Sequence, residues 1–196
     1  PAPERSILAE AGVDEAELRA WLAERGLSLI VSRNVTSRDR ADVQQPFNLR
    51  VPGGVESVAT GGRVYDVAYL QILQGDMIRG YEGRGPGRRV VARPLHEPEA
   101  TPYLDGAATG SARVAPDGSV AAFVPARRAM TWQLVSGDAT PVVRERNWVS
   151  FAPGEIRVCG SCHGVNTENH LGQPEPENPP EALRALVEAW KAREGR

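Results

Sequence analysis

The chain has 196 residues, with 23 lysines and arginines against 25 aspartates and glutamates, for a formal net charge of −2. That balance excludes a broad basic face for nucleic acid, and no run of about 18 apolar residues is present to span a membrane. The length suits one domain with a sizeable core or two small ones, and 20 glycines with 16 prolines indicate many turns and few long helices.

The opening Pro1-Ala2-Pro3-Glu4-Arg5 is polar and has no signal-peptide pattern. A first helix is expected from Asp14, which can cap it. Glu17, three residues on, completes a capping box, Leu18, Trp21 and Leu22 form the apolar stripe, and Gly26 ends the helix. Residues 1–26 therefore read as an N-terminal helical segment, and residues 27–196 as a β-rich domain. Residues 27–35 carry a β-branched run. Residues 37–45 are polar and read as a loop, and residues 47–51 alternate with the period of a half-buried strand. Residues 64–73 read as a buried strand entering a turn at Gly75-Asp76, and residues 80–87, with four glycines, as a flexible loop. Residues 112–114 and 120–124 flank Pro116-Asp117-Gly118 and predict a hairpin. A second pair of strands, 130–135 and 142–151, flanks Ser136-Gly137-Asp138. Pro153-Gly154 turns the last strand toward the motif below. Residues 164–178 are polar and proline-rich, expected to wrap a cofactor or cover the surface. Pro179-Pro180 opens a final helix whose buried face is Leu183, Leu186, Val187 and Trp190. The fold class expected is mainly β, a sandwich or barrel of mostly antiparallel strands, with an N-terminal and a C-terminal helix.

The chemistry concentrates at Cys159-Gly160-Ser161-Cys162-His163. Cys-x-x-Cys-His is the attachment signature of a c-type haem: two thiols add to the two porphyrin vinyl groups, and the following histidine lies under the iron as proximal ligand. These are the only two cysteines, and one of three histidines follows them directly. Cys159 and Cys162 are thus assigned to one covalent haem c, and His163 to its iron. Two other readings use the same residues. A zinc site would draw on Cys159, Cys162 and His163 or His170, and a redox dithiol on the cysteines alone. Covalent haem attachment follows export, so an extracytoplasmic, processed or excised chain is expected. The distal ligand decides between a six-coordinate electron carrier and an open, reactive haem. Candidates are His170, His96, Met130 and Met77, with Lys191 more remote. Both methionines precede the motif, which favours a bis-histidine or open site over His/Met ligation. Trp132 and Trp148 are candidates to pack on the porphyrin.

The runs Val124-Pro125-Ala126-Arg127-Arg128-Ala129-Met130-Thr131-Trp132 and Asn147-Trp148-Val149-Ser150-Phe151-Ala152-Pro153-Gly154-Glu155, continuing into the motif, resemble the haem-bearing C-terminal region of hydrazine synthase alpha subunit-like proteins. The likeness extends from about residue 30 to residue 186. It implies a β-rich c-type haem domain whose partner is a redox protein or a larger haem complex. It also implies a piece of a longer architecture, since such proteins carry a β-propeller ahead of this region. In hydrazine synthase a tyrosine four residues after the motif histidine can take the iron; Thr167 stands there in this chain. The reading is an electron-transferring cytochrome domain. The alternatives are a catalytic haem domain acting on a small inorganic nitrogen or oxygen species, and a zinc-stabilised structural domain.

Overall fold

The computed structural model describes residues 2–40, 48–59, 61–76, 92–160 and 168–195. Two short helices open the chain, α1 (Pro3–Glu10) and α2 (Glu15–Glu24). Strands follow as β1 (Leu27–Ser32), β2 (Asn48–Arg50), β3 (Glu56–Ser57), β4 (Val64–Asp66), β5 (Tyr69–Gly75) and β6 (Ala92–Pro94). After a single 3-10 turn at Thr101–Tyr103 come β7 (Ser111–Arg113), β8 (Val120–Pro125), β9 (Met130–Val135), β10 (Pro141–Arg144) and β11 (Ile156–Cys159). The helix α3 (Glu181–Glu194) closes the chain.

Helix α2 starts as its sequence dictates: Asp14 Oδ1 accepts the Glu17 amide at 2.9 Å, and Gly26, at φ 64°, ends it. Helix α1 was not anticipated. Pro3 sits in its first turn, and it buries Ile7 and Leu8, a contribution to the core that a polar opening conceals.

Among the described residues the strands form three sheets: β11-β1-β8, the path β10-β9-β5-β6 with β7 also on β5, and β3-β2-β4. Most pairs are antiparallel; β1 with β11 and β2 with β4 are parallel. The apolar run at 64–73 is not one strand. It breaks at Val67 and Ala68, so that β4 joins β2 while β5 joins β9.

The expected hairpin at 112–124 is overturned. Strand β7 pairs with β5 and β8 pairs with β1, so the two arms leave the turn into different sheets. The turn itself exists: Ala115 N donates to Ser119 O at 2.9 Å, and Gly118 N to Ala115 O at 2.8 Å. Gly118 adopts φ 83°, and a Cβ there would strike Asn34 and Val55. Alternating apolar residues specify that a strand is buried, not which neighbour it pairs with.

One apolar cluster joins all three sheets and all three helices, from Ile7 and Leu18 through Leu29, Leu49, Ile72 and Phe123 to Trp190. The helical N-terminal segment therefore shares its core with the β-rich body. An aromatic group lies within this core: Trp21 stands 5.2 Å from Phe123, 5.5 Å from Trp190 and 5.9 Å from Tyr103, centroid to centroid. Glu194, near the end of α3, ties it together. Its carboxylate accepts from Tyr103 Oη at 2.8 Å and Trp21 Nε1 at 2.9 Å, and pairs with Arg25 at 3.2 Å.

Burial, reinforced by Glu194, pushes the Tyr103 phenol up to about 12 from its ordinary 10.0. A phenol whose folded pKa lies above its unfolded value supports the fold fully below pH 10 and loses that support as pH rises toward 12. Unfolding free energy measured in urea should therefore fall in alkali through that window, and Tyr103→Phe should fall less. Parallel pH profiles for the two proteins would refute the assignment.

Candidate functional site

Among the described residues, strand β11 lies at the edge of its sheet, paired only with β1. Ile156 and Val158 pack against the core, while Arg157 and Cys159 are exposed, as the two-residue period requires. The parallel register sets Ser32 opposite Cys159, and register partners in neighbouring strands share a face. Cys159 ends the strand as a free, exposed cysteine. Its surface is open to solvent, yet surrounding protein crowds the sulfur. That desolvation pushes the thiol pKa above its ordinary value; Arg157 opposes the shift and Glu175 adds to it.

The segment that follows β1 grips the chain on both sides of the motif. On the near side, Arg33 N donates to Cys159 O at 2.9 Å and Asn34 N to Gly160 O at 3.2 Å. On the far side, Arg40 N donates to Glu168 O at 3.0 Å, Asp39 forms a β-bridge with Asn169, and His170 N donates to Arg38 O at 2.9 Å. The Arg40 guanidinium reinforces this end through Glu168 at 2.6 Å. Residues 33–40, which the sequence reads as strand end and loop, thus act as the clamp of the site. Cys162 and His163 fall outside the described residues, as do Met77 and Thr167.

Past the motif, residues 168–180 are laid against the same edge. Arg33 organises them. Its guanidinium pairs with Glu4 Oε1 at 2.7 Å and Oε2 at 3.2 Å, and donates to Pro176 O at 3.1 Å. Glu4 and, further off, Glu175 and Glu177 push the Arg33 pKa up. Asn178 Nδ2 donates to Arg33 O at 3.0 Å and to Asp117 Oδ2 at 2.8 Å. Gly160 is buried, and a Cβ there would collide with the Glu175 carboxyl. A larger residue there would have to displace the end of the Glu175 side chain.

The other candidate ligands are dispersed. His170 stands at the far grip, with both ring nitrogens buried. His96 lies just beyond β6. Its Nδ1 is 3.0 Å from Pro94 O, a carbonyl that can only accept, and its Nε2 faces Arg93 at 2.9 Å and Asp76 at 3.1 Å. Arg93 first, then His96, holds the Asp76 carboxyl below its usual range. Met130 opens β9 with no exposed surface, inside the apolar core. Lys191 Nζ donates to Ala11 O at 2.6 Å. Trp148 is exposed and Trp132 partly buried. Among the described residues no group of three or more His, Cys, Asp or Glu is gathered that could hold a metal ion.

Among the described residues, three buried polar atoms of this stretch find no hydrogen-bond partner: Ser32 Oγ, Ser37 Oγ and Arg38 Nε. All lie on the stretch that begins beside Cys159 and ends beside His170. Buried donors left unpaired are uncommon in folded proteins. A cofactor bearing acceptor oxygens complements them, and haem c carries two propionates, so the residues present fit the group.

With this geometry established, comparison with known proteins adds one family. Residues 100–164 match the hydrazine synthase alpha subunit middle domain. That stretch, about a third of the chain, is similar to that domain. The match runs through the whole of 159–163, and it is to a middle domain, where the resemblance in the sequence had pointed to a C-terminal region. No curated protein matches the chain. The solved structure of Kuenenia stuttgartiensis hydrazine synthase is similar at a TM-score of 0.44 and 17% identity, over 81% of this chain and 20% of that one. This chain thus spans about a fifth of the length of that relative.

Proposed function

We propose that this protein is a c-type haem domain of a hydrazine synthase alpha-like protein, passing single electrons outside the cytoplasm. Cys159 and Cys162 hold one haem through thioethers and His163 ligates its iron. The observation that carries the reading is Cys159 itself: a free, exposed cysteine at the open edge of a sheet, heading a Cys-x-x-Cys-His whose two flanks are gripped by residues 33–40. A bound haem supplies one-electron chemistry at iron. The protein's own residues do the rest. The backbone at Arg33 and Asn34 fixes the first cysteine, residues 38–40 fix the chain beyond the histidine, and Arg33 holds 175–177 against the edge. The partner is a redox protein or a larger haem complex.

The family match favours a second reading, a haem domain that takes part in catalysis on a small inorganic nitrogen or oxygen species. The sixth iron position separates the two: a bis-histidine haem ignores carbon monoxide, and an open one binds it when reduced.

The test is protein made with a cytochrome maturation system. Haem should stay with the polypeptide in acidified organic solvent, with about one iron per chain. Cys159→Ala or Cys162→Ala should leave one thioether or none. Complete extraction of haem from the wild-type protein, or stoichiometric zinc with no iron, overturns the proposal.

A further inference from the structure

We infer that Ser37 and Arg38 form the carboxylate-binding edge of the cofactor site, donating hydrogen bonds to a haem propionate. The inference rests on the covalent-haem reading and extends it to residues that the attachment motif does not contain.

Ser37 is 1% exposed, and among the described residues its hydroxyl has no hydrogen-bond partner; neither has the buried Nε of Arg38, the next residue. A guanidinium keeps its charge and can only donate, so what completes Arg38 is an acceptor, and a carboxylate matches it best. Leaving such buried donors unmet destabilises the fold. The nearby Glu168 carboxylate is paired with Arg40. Position agrees with chemistry. A porphyrin bears its vinyls on one side and its propionates on the other. Here the cysteine lies beside Ser32 and Arg33, while Ser37 and Arg38 lie on the part of the stretch that bonds to His170. Five residues separate Arg33 from Arg38, a stretch of at most about 17 Å, long enough to pass from one edge of a single haem to the other.

The test uses haem-loaded protein and two readings. A pyridine haemochrome spectrum first reports covalent haem in the wild type, Ser37→Ala, Arg38→Gln, Arg38→Lys and a control outside the clamp, Arg184→Gln, at an exposed pair with Glu10. Low-frequency resonance Raman then reads the propionate bending band. That band should shift on Arg38→Gln, shift less on Ser37→Ala, recover toward the wild-type position in Arg38→Lys, and stay in place in Arg184→Gln. Circular dichroism checks each fold. If Arg38→Gln does not fold, Ser37→Ala, a smaller change, carries the measurement. A band that stays in place in every folded variant with haem attached would assign these donors to water and overturn the inference. Absence of covalent haem from the wild type would instead overturn the reading beneath it.

Discussion

Arg33→Met should lower the unfolding free energy by about 3 kcal/mol. The substitution removes a guanidinium whose partner, Glu4, has a side chain only 7% exposed. A surface ion pair removed in this way typically costs under about 1 kcal/mol, because water replaces the lost partner. Here water is largely excluded, and the Glu4 carboxylate is left buried without its charge partner. The same change deletes the hydrogen bond to Pro176 O, and with it one anchor of the chain beyond the motif. The double variant Glu4→Gln with Arg33→Met should recover part of the loss, since no buried charge is then left unpaired. Urea unfolding of the three variants decides. A loss below about 1 kcal/mol for the single change would place this pair with ordinary surface contacts.

Trp190→Ala should cost about 3–5 kcal/mol, the range for removing a large aromatic side chain from a packed core. Trp190 is 2% exposed and lies against Trp21, so truncation opens a cavity where α2, α3 and β8 meet. Trp190→Phe should lose clearly less, because most of the cavity stays filled. Thermal unfolding of both variants compares the two. Equal losses would mean that the site collapses around the alanine and that packing at this point is loose.

The same two residues mark how far the sequence could be read. Trp190 was legible: Leu183, Leu186, Val187 and Trp190 recur at helical spacing, and all four are buried. So was the start of α2, where Asp14 and Glu17 stand three apart. Such signals are local, carried by neighbours within a turn or two. The Arg33 contact is not. Glu4 lies 29 positions away in a stretch whose polar look hides α1, and nothing in either segment points to the other. The partners of β7 and β8 escaped for the same reason, as did the parallel pairing of β11 with β1. At the candidate site, spacing alone singles out Cys159 in the sequence. The gripping role of residues 33–40 was not legible, because their bonds to Cys159, Gly160, Glu168 and His170 are made by backbone atoms, which carry no side-chain signature. The family likeness was legible in outline, and its matched extent is narrower than the sequence suggested.

Helix α3 begins at Pro180, which has no side chain to offer its first amides. Those amides are taken instead by the turn between β7 and β8: Glu181 N donates to Asp117 Oδ2 at 3.1 Å and Ala182 N to Ser119 Oγ at 3.0 Å. The cap is thus more than sixty positions away in the chain. A 14-residue segment is at the margin of what forms alone in water, where nucleation is the costly step. The C-terminal segment therefore gains its helix only once the β body has placed that turn, which makes it a late-ordering closure. The face of β8 on which α3 packs would then stay uncovered until the sheets were assembled.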